Sequence, residues 1–213
     1  MTARNAALGF TGWGEGRAGS QEIHMDSLED RTQNVIVETD RLRFATWRWE
    51  DWKEFRELTS DPLVVRYIGT GEPWSDERVQ EFVTRQCENW DKYGICLWKL
   101  LPKDSDTLIG ICGLQRLPGG LDVEIGWWLA PSHWGQGLAT EAARHALAYG
   151  FEVSNVDRIV AIAHPANRDS LRVMERIGMR FEREAMHKGI RVVLYAIERE
   201  QFNSRQGEGE ERV

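Results

Sequence analysis

One stretch of the sequence joins the end of a strand, a glycine-rich turn and the start of a helix. In "EIGWWLAPSHWGQGLATEAARHALAYGF" the strand pattern runs out at Leu129, Pro131 ends it, and helical spacing begins near Gly137. An apolar stripe at helical spacing follows, formed by Ala139, Ala143, Leu147 and Phe151 and flanked by Ala142 and Ala146. A helix with so small a face packs closely on a sheet, so this stretch predicts a layered α/β fold.

The glycines of this turn leave its backbone uncovered. The first turn of a helix has N–H groups without intrahelical partners, and the helix dipole adds partial positive charge there. Because Gly135 and Gly137 have no side chains to hold a pyrophosphate away, the turn can be a phosphate cradle, or simply a glycine-containing loop before a helix. The sequence has neither GxGxxG with the expected acidic residue nor GxxxxGK[ST], which argues against a dinucleotide fingerprint and a Walker loop.

Alternating and helical patterns on both sides of the turn complete one domain. The strand patterns are "RLRFATW", "ICLWKLL", "TLIGICGLQRL", "LDVEIGWWLA", "RIVAIAH", "MRFEREA" and "IRVVLYAIE". Ser75 and Asn167 are placed to cap helices, and Gly178 to end the second of them. The order is a strand, two helices, three strands, a helix, a strand, a helix and two strands, which predicts a single α/β domain with a mixed sheet.

The two ends of the chain have a different composition from its centre. Residues 1–34 are polar and rich in glycine, without apolar positions at a fixed period, and we expect them to form a mobile leader. Residues 201–213 include "NSRQGEGEERV", which predicts a disordered tail. The domain is therefore expected at 35–200.

Charge and cysteine spacing narrow the classes of function. The formal net charge is −7 and no basic run is present, which argues against a nucleic-acid partner and suits a cationic acceptor better. No apolar run approaches the ~18 residues that cross a bilayer, and the first residues do not form a secretory signal. Cys87, Cys96 and Cys112 lack metal-site spacing and are expected to be buried thiols. These features predict a cytoplasmic protein with no metal and no membrane partner. The sequence leaves the oligomeric state open between a monomer and a homodimer.

Three linked segments resemble the GNAT superfamily of N-acetyltransferases, and within it the RimJ/RimL-like branch of ribosomal-protein alanine acetyltransferases. They are "ETDRLRFATWRWEDW", "VEIGWWLAPSHWGQGLATEA" and "RIVAIAHPANRDSLRVMERIGMRFE", and the resemblance runs from about Val37 to Ile197. It implies a mixed, mostly antiparallel central sheet flanked by helices. It also implies transfer of an acetyl group from acetyl-CoA to a primary amine, either a protein N-terminus or a small amine.

The resemblance implies where the co-substrate lies. The pyrophosphate is expected on the amides of the glycine turn, and the residues expected to bind CoA there are Trp134, Gly135, Gln136, Gly137, Leu138, Ala139 and Thr140. The superfamily pattern Q/R-x-x-G-x-G/A has Trp134 in its first position here, which is a departure. A backbone amide near Trp128 or Leu129 is expected to stabilise the oxyanion, where the corresponding strand of the family splays from its neighbour.

Glu124 is predicted to be the catalytic base. It lies in "DVEIGWW" beside Val123, Ile125 and Trp127, and strand alternation points its side chain away from all three. Apolar surroundings raise the pKa of a carboxyl group, so Glu124 could take a proton directly or through water. The alternative is a strand-edge glutamate that bonds a neighbouring loop.

The last predicted helix contributes two more candidate residues. Asn167 is a favoured helix cap, and the resemblance implies that it also bonds the pantetheine arm of CoA. Met174 stands where many relatives have a tyrosine proposed to protonate the leaving thiolate. Ser170 could bind the co-substrate and supply that proton as a second catalytic residue, or it could be a surface serine of the first helical turn.

The acceptor side is less determined by the sequence. Tyr67, Trp74 and Trp128 could wall an amine pocket or belong to the core, and His133 and His164 are expected to be structural. Two other readings of the chain stay open: a CoA-binding regulatory module without turnover, suggested by Met174, and an interaction domain whose glycine turn holds no ligand.

Overall fold

The computed structural model describes residues 35–117 and 122–210. The predicted leader at 1–34 and the "PGG" turn at 118–120 lie outside the described residues. The described chain is built around one 8-stranded sheet with the order β1-β2-β3-β4-β5-β6-β8-β7. The strands are β1 (Val35–Glu38), β2 (Leu42–Ala45), β3 (Leu97–Pro102), β4 (Gly110–Arg116), β5 (Val123–Leu129), β6 (Arg158–Ala163), β7 (Arg180–His187) and β8 (Ile190–Glu198).

One pair of neighbouring strands differs from all the others in the sheet. Every neighbouring pair is antiparallel except β5 and β6, which are parallel. Their register contains only Val123 opposite Ile159 and Glu124 opposite Val160, whereas β5 pairs with β4 along its whole length. The two parallel strands therefore separate beyond Glu124. The mixed, mostly antiparallel sheet is the predicted fold class, and the separation is the splay that the resemblance implied.

Helices cover both faces of the sheet. They are α1 (Trp52–Ser60), α2 (Pro62–Val65), α3 (Asp76–Tyr93), α4 (Leu138–Ala148), α5 (Arg168–Arg176) and α6 (Arg199–Glu210). Phe55 of α1 and Phe82 of α3 stack at 4.8 Å and pack against Trp128 of β5. The alanine-rich helix α4 contacts β4 and β5 and buries Ala142, Ala143 and other small residues. Small side chains let its backbone approach the sheet closely, as the sequence pattern predicted.

The predicted helix boundaries are confirmed where a local signal sets them. Ser75 accepts a hydrogen bond from the Arg78 N–H at 3.4 Å at the start of α3. Asn167 caps α5 in the same way, and Gly178 follows its end with a φ of 95°. These signals are local, because a cap needs only the residues of one helical turn.

Three elements differ from the sequence-based description, and the first is the short helix α2, a third helix where the patterns predicted two. Strand β1 is an additional edge strand that joins the sheet through β2, and it is too short and too evenly half-buried for alternation to predict it. Helix α6 covers residues for which a disordered tail from 201 was expected. Phe202 of this helix is buried against Phe151 at 5.0 Å between ring centroids, so the packed domain continues past residue 200.

Candidate active site

A cleft of about 980 Å³ opens where β5 and β6 separate. One side of the cleft is formed by β5, the glycine turn and α5, and other parts of its wall come from α2, α3 and the segment between them. The predicted site residues that line it are Glu124, Trp128, Leu129, Trp134, Gly135, Gly137, Leu138, Ala139, Thr140, Asn167 and Ser170. Among the predicted residues, Gln136 alone is not part of this wall. The fold thus brings residues far apart in the sequence to one cavity.

The glycine turn has the conformation that the cradle hypothesis requires. Gly135 and Gly137 have φ values of 73° and 77°, in the left-handed region that side chains disfavour. A Cβ added to Gly135 would meet no heavy atom within 4 Å, and one added to Gly137 would lie 3.7 Å from Nη2 of Arg41. The backbone before Leu138, the first residue of α4, is therefore bare and open. These features fit a bound pyrophosphate.

Arg41 holds the glycine turn from outside it. Its Nη1 donates to the Gln136 carbonyl at 2.9 Å, and its Nε donates to Glu141 Oε2 at 2.7 Å. Glu141 Oε1 also accepts from Thr39 Oγ1 at 2.5 Å. Burial raises the pKa of Glu141, but the hydrogen bonds from Thr39 and Arg41 outweigh it and the net pKa is lowered. Glu141 therefore stays ionised and keeps Arg41 in place.

Two side chains of the turn are also fixed by backbone carbonyls. The Trp134 Nε1–H donates to the Leu129 carbonyl at 2.7 Å, which ties the turn to the end of β5. The Gln136 Nε2 donates to the Ser132 carbonyl at 3.0 Å, so its side chain points back along the turn. Gln136 can therefore contact a bound ligand through its backbone and not through its side chain.

Glu124 is buried inside the cleft wall. The residue is 7% exposed, and Oε2 accepts a hydrogen bond from Gln115 Nε2 at 2.7 Å. Burial raises the pKa of Glu124 to about 7, against the hydrogen bond from Gln115 and the charge of Lys188, which both lower it. Its hydrogen-bond partner lies on the adjacent strand β4 rather than on a loop. A carboxyl group with this pKa can accept a proton near neutral pH.

The direction of the backbone amides in β5 selects one of the two oxyanion candidates. Backbone groups of successive residues in an antiparallel strand point to alternate sides. The Ala130 N–H donates to the Ile109 carbonyl at 2.8 Å on the β4 side, whereas the Leu129 carbonyl turns away from β4 and accepts from Trp134. By this alternation the Leu129 N–H faces the gap between β5 and β6. The Trp128 N–H faces β4.

The start of α5 also faces the cleft. Asn167 Oδ1 accepts a hydrogen bond from the Ser170 N–H at 3.2 Å, which confirms the helix cap. This bond uses the backbone of Ser170 and leaves its hydroxyl out of the cap. Met174 lines the cleft as well, but the residue is 1% exposed and is packed in the core.

Aromatic residues on the α1–α3 side belong to the core and to the cleft at once. Trp74 packs edge-on against Trp128 at 5.3 Å, and both line the cleft. Tyr67 stacks on His164 at 5.4 Å and links the segment after α2 to the segment before α5. The Nδ1 of His164 also accepts from the Ala166 N–H at 3.1 Å, and His133 shares a 3.0 Å contact with Ser132. Both histidines thus have local structural partners.

The three cysteines are free, and burial raises the pKa of each thiol. A buried, protonated thiol is a poor nucleophile. Within residues 35–117 and 122–210, no group of three or more His, Cys, Asp or Glu side chains could hold a metal ion. No helix in the same residues is long and apolar enough to cross a membrane.

The sequence did not point to three residues that shape this site. Arg41 and Thr39 lie about 100 residues before the carboxylate that they bond, and Gln115 lies on a different strand from Glu124. Strand register places Gln115 opposite Glu124, and tertiary packing brings Thr39 and Arg41 to Glu141 of α4; the sequence carries no local signal of either. With them, the cleft has a bare helix N-terminus, a gap between parallel strands and a buried glutamate beside it. That is the arrangement expected of an amine acetyltransferase of the GNAT type.

Comparisons with known proteins establish the family. A family model described as "Acetyltransferase (GNAT) domain" matches residues 41–180. The Bacillus subtilis (strain 168) protein YnaD, named as an uncharacterized N-acetyltransferase, is 37% identical over 147 residues, which are 68% of this chain and 83% of YnaD. The chain belongs to the GNAT acetyltransferase family.

Solved structures share the fold. A GNAT-family acetyltransferase from Bacillus anthracis is 31% identical with a TM-score of 0.65, covering 77% of this chain and 98% of its own. The spermidine N-acetyltransferase of Vibrio cholerae, solved in complex with CoA and spermine, has a TM-score of 0.65 over 78% of this chain and 99% of its own. At 18% identity it shows the fold alone.

Proposed function

We propose that the protein transfers an acetyl group from acetyl-CoA to a primary amine by direct attack in a ternary complex, with Glu124 as the base. The observation that carries this proposal is the buried Glu124, whose pKa is about 7, at the point where β5 and β6 begin to separate. The bare backbone of the glycine turn lines the same cleft. Membership of the GNAT family supports both parts.

The residues of the cleft fit the co-substrate. The amides from Gly135 to Thr140 would hold its pyrophosphate at the start of α4, where the helix dipole favours negative charge. The Nδ2 group of Asn167 is available to the pantetheine arm, because the helix cap uses Oδ1. When bound, acetyl-CoA supplies an acetyl thioester as the acyl donor.

Glu124 prepares the acceptor. Since Gln115 occupies Oε2, we assign to Oε1 the proton that leaves the amine, directly or through one water. A carboxylate with a pKa of about 7 is a far better base for an ammonium group than one with an ordinary pKa near 4.3. The uncharged amine nitrogen then forms the new bond to the acetyl carbon while the carbon–sulfur bond breaks.

Two other groups stabilise the negative charges that develop as these bonds change. The Leu129 N–H faces the gap and is placed to donate to the carbonyl oxygen as that oxygen becomes negative. The Ser170 hydroxyl lines the cleft and is assigned to donate a proton to the departing thiolate, because Met174 has no proton to give. Ser170 regains a proton, directly or through water, from the nitrogen, which loses its second proton as the amide forms. Holding both reactants in one cleft also lowers the entropic cost of bringing them together.

The acceptor is a protein N-terminus or a small amine, and placement in the RimJ/RimL-like branch remains a prediction. The related enzyme from Vibrio cholerae, in whose structure spermine is bound, makes polyamines one candidate group. Location in the cytoplasm and a monomeric or homodimeric state are likewise predictions.

The deciding experiment measures thiol release from acetyl-CoA by the purified protein. Acceptors are short peptides with free Ser, Ala or Thr N-termini and a panel of small amines that includes spermidine. We expect release with at least one set, and a strong loss of rate in Glu124→Gln with unchanged CoA binding. Silence with both sets, while CoA still raises the melting temperature, would instead identify a CoA-binding regulatory module.

A further inference from the structure

Three arginines stand on the wall of the cleft that α2 and α3 provide. Each guanidinium lies over an aromatic ring that also lines the cleft. The distances from guanidinium carbon to ring centroid are 5.1 Å for Arg66 and Tyr67, 4.1 Å for Arg78 and Trp74, and 5.5 Å for Arg85 and Phe82. Stacking on a ring holds a guanidinium in place while leaving its N–H donors free to bind a ligand.

These arginines lack a counter-charge within the described part of the chain. Of the residues that the structure describes, none forms an ion pair with Arg66, Arg78 or Arg85. Glu81 also lines the cleft and lies one helical turn from Arg78 and Arg85, but it is exposed and bonds neither. Burial and the charge of Arg85 together lower the pKa of Arg78. An anion bound beside Arg78 would stabilise the charged guanidinium and raise its pKa again.

The arginines and Glu124 lie on the same face of the sheet. Arg78 stacks on Trp74, and Trp74 packs against Trp128 of β5. Glu124 is four residues before Trp128 on that strand, so alternation puts both side chains on one face, about 13 Å apart along the strand. A molecule with an amine at Glu124 can therefore reach the arginines with another part of its structure.

The phosphates of CoA have other partners in the cleft. Their cradle is the turn before α4, which Arg41 contacts from outside the cleft, and Arg168, Arg172 and Arg176 of α5 supply further positive charge in the cleft wall. Arg66, Arg78 and Arg85 belong to α3 and the end of α2 instead. An anionic group bound by Arg66, Arg78 and Arg85 would therefore belong to the acceptor and not to CoA.

We propose that the acceptor is an amine that also carries a carboxylate or phosphate group, which Arg78 binds together with Arg66 and Arg85. This inference rests on the proposed acetyl transfer and specifies its substrate class. Guanidinium groups bind both oxyanions through paired N–H donors. The overall charge of −7 suggested a cationic acceptor, but local charge in the cleft decides what binds there.

The test uses pairs of amines that differ only in the anionic group. The C-terminally amidated peptide Ala-Gly-Gly-Glu is compared with Ala-Gly-Gly-Gln, and Ala-Gly-Gly-phosphoserine with Ala-Gly-Gly-Ser, so the two pairs separate a carboxylate from a phosphate. In an extended peptide at about 3.3 Å per residue, the N-terminal amine and the fourth side chain can span the roughly 13 Å between Glu124 and Trp128. For each pair the ratio of kcat/KM, anionic over neutral, is measured with the wild-type protein and with Arg78→Met. We expect the ratio to exceed one in at least one pair and to fall about 10-fold or more in Arg78→Met.

Three further variants make the result specific. Arg78→Lys keeps the charge and is expected to restore part of the ratio. Glu81→Gln removes the neighbouring negative charge and is expected to raise the ratio. Arg183→Met removes an arginine of β7 that does not line the cleft, and is expected to leave the ratio unchanged.

The inference and the proposed function fail in different ways. Thiol release with equal or lower ratios for the anionic amines, unaffected by Arg78→Met, overturns the inference and leaves the acetyltransferase proposal intact. If no amine is acetylated, titration calorimetry of the CoA-loaded protein with each pair still decides the matter. Binding of the anionic member that is lost in Arg78→Met supports the inference, and equal or absent binding of both members overturns it.

Discussion

Gln115 Nε2 donates to Glu124 Oε2 at 2.7 Å, and the two residues are directly opposite each other in the β4–β5 ladder. The hydrogen bond stabilises the ionised carboxylate, while burial favours the protonated acid. The pKa of about 7 is the balance between these effects and the charge of Lys188. Strand register therefore sets the proton affinity of the proposed base.

Replacing Gln115 is expected to shift the pH dependence of the reaction. Gln115→Leu removes a donor that lowers the pKa of Glu124, so that pKa rises above about 7. The acidic limb of the kcat/KM profile should move to higher pH by the same amount. Gln80→Leu, on α3 outside the cleft, serves as the matched control. An acidic limb that does not move in Gln115→Leu would show that this limb does not report the pKa of Glu124.

Glu124→Gln should change stability in a pH-dependent way. Because the folded-state pKa of about 7 lies above the unfolded value of about 4.3, the folded protein binds more protons between these pH values. The wild-type stability contributed by this proton is complete below about pH 4 and is lost as pH rises through about 7. Glutamine carries no such proton. The free energy of unfolding of Glu124→Gln, relative to that of the wild type, should therefore rise by an amount on the order of 2–3 kcal/mol between pH 4 and pH 8. Urea unfolding at both pH values measures this, and parallel pH curves would contradict it.

The bare backbone of the turn can be tested with two glycines of similar conformation. Gly135→Ala and Gly94→Ala both place a side chain at positive φ, 73° and 66°, where no heavy atom lies within 4 Å of the added Cβ. Each should cost about 1–2 kcal/mol of stability. Only Gly135→Ala should also weaken CoA binding, because Gly135 lines the cleft and Gly94, at the end of α3, does not. Calorimetric CoA titration distinguishes them, and equal affinities would argue against the cradle.

Much of the fold follows from local patterns. The starts of α3 and α5 depend on Ser75 and Asn167, which bond their own first turns, and the stop at Gly178 depends on one residue's φ. Such features lie within a few residues of sequence and were predicted. The separation of β5 from β6 was expected from the family resemblance alone, because no local pattern at Glu124 or its neighbours indicates it.

The parts that the sequence did not predict depend on distant contacts. Arg41 reaches Glu141 and the Gln136 carbonyl because the start of β2 lies beside the turn, and Arg78 meets the cleft through the packing of α3. Helix α6 was missed for a related reason. Its sequence is polar, and the contacts that hold it are made with distant residues: Phe202 packs against Phe151, and Arg199 donates to Asp157 and to the Val156 carbonyl.

Arg41 is expected to act on co-substrate affinity through the turn. Arg41→Met removes the bond to the Gln136 carbonyl and leaves Glu141 without its cation, so the turn loses its support. The KM for acetyl-CoA should rise several-fold while kcat changes little, because the turn binds the pyrophosphate and not the reacting atoms. Arg43→Met removes a nearby arginine of β2 that pairs with Asp106, between β3 and β4, and should leave that KM unchanged. A fall in kcat alone would contradict this role.

Ser170→Ala separates the proton-donor role from the helix cap. The cap uses the Ser170 N–H, so loss of the hydroxyl leaves the Asn167 bond at 3.2 Å intact and stability should change by less than about 0.5 kcal/mol. Turnover should fall by about 10-fold or more, since the thiolate then leaves without a positioned proton, while CoA affinity stays constant. Ser204→Ala, on α6, controls for loss of a serine hydroxyl. If the turnover of Ser170→Ala equals that of the wild type, the thiolate takes its proton from water, which agrees with the absence of a tyrosine at Met174.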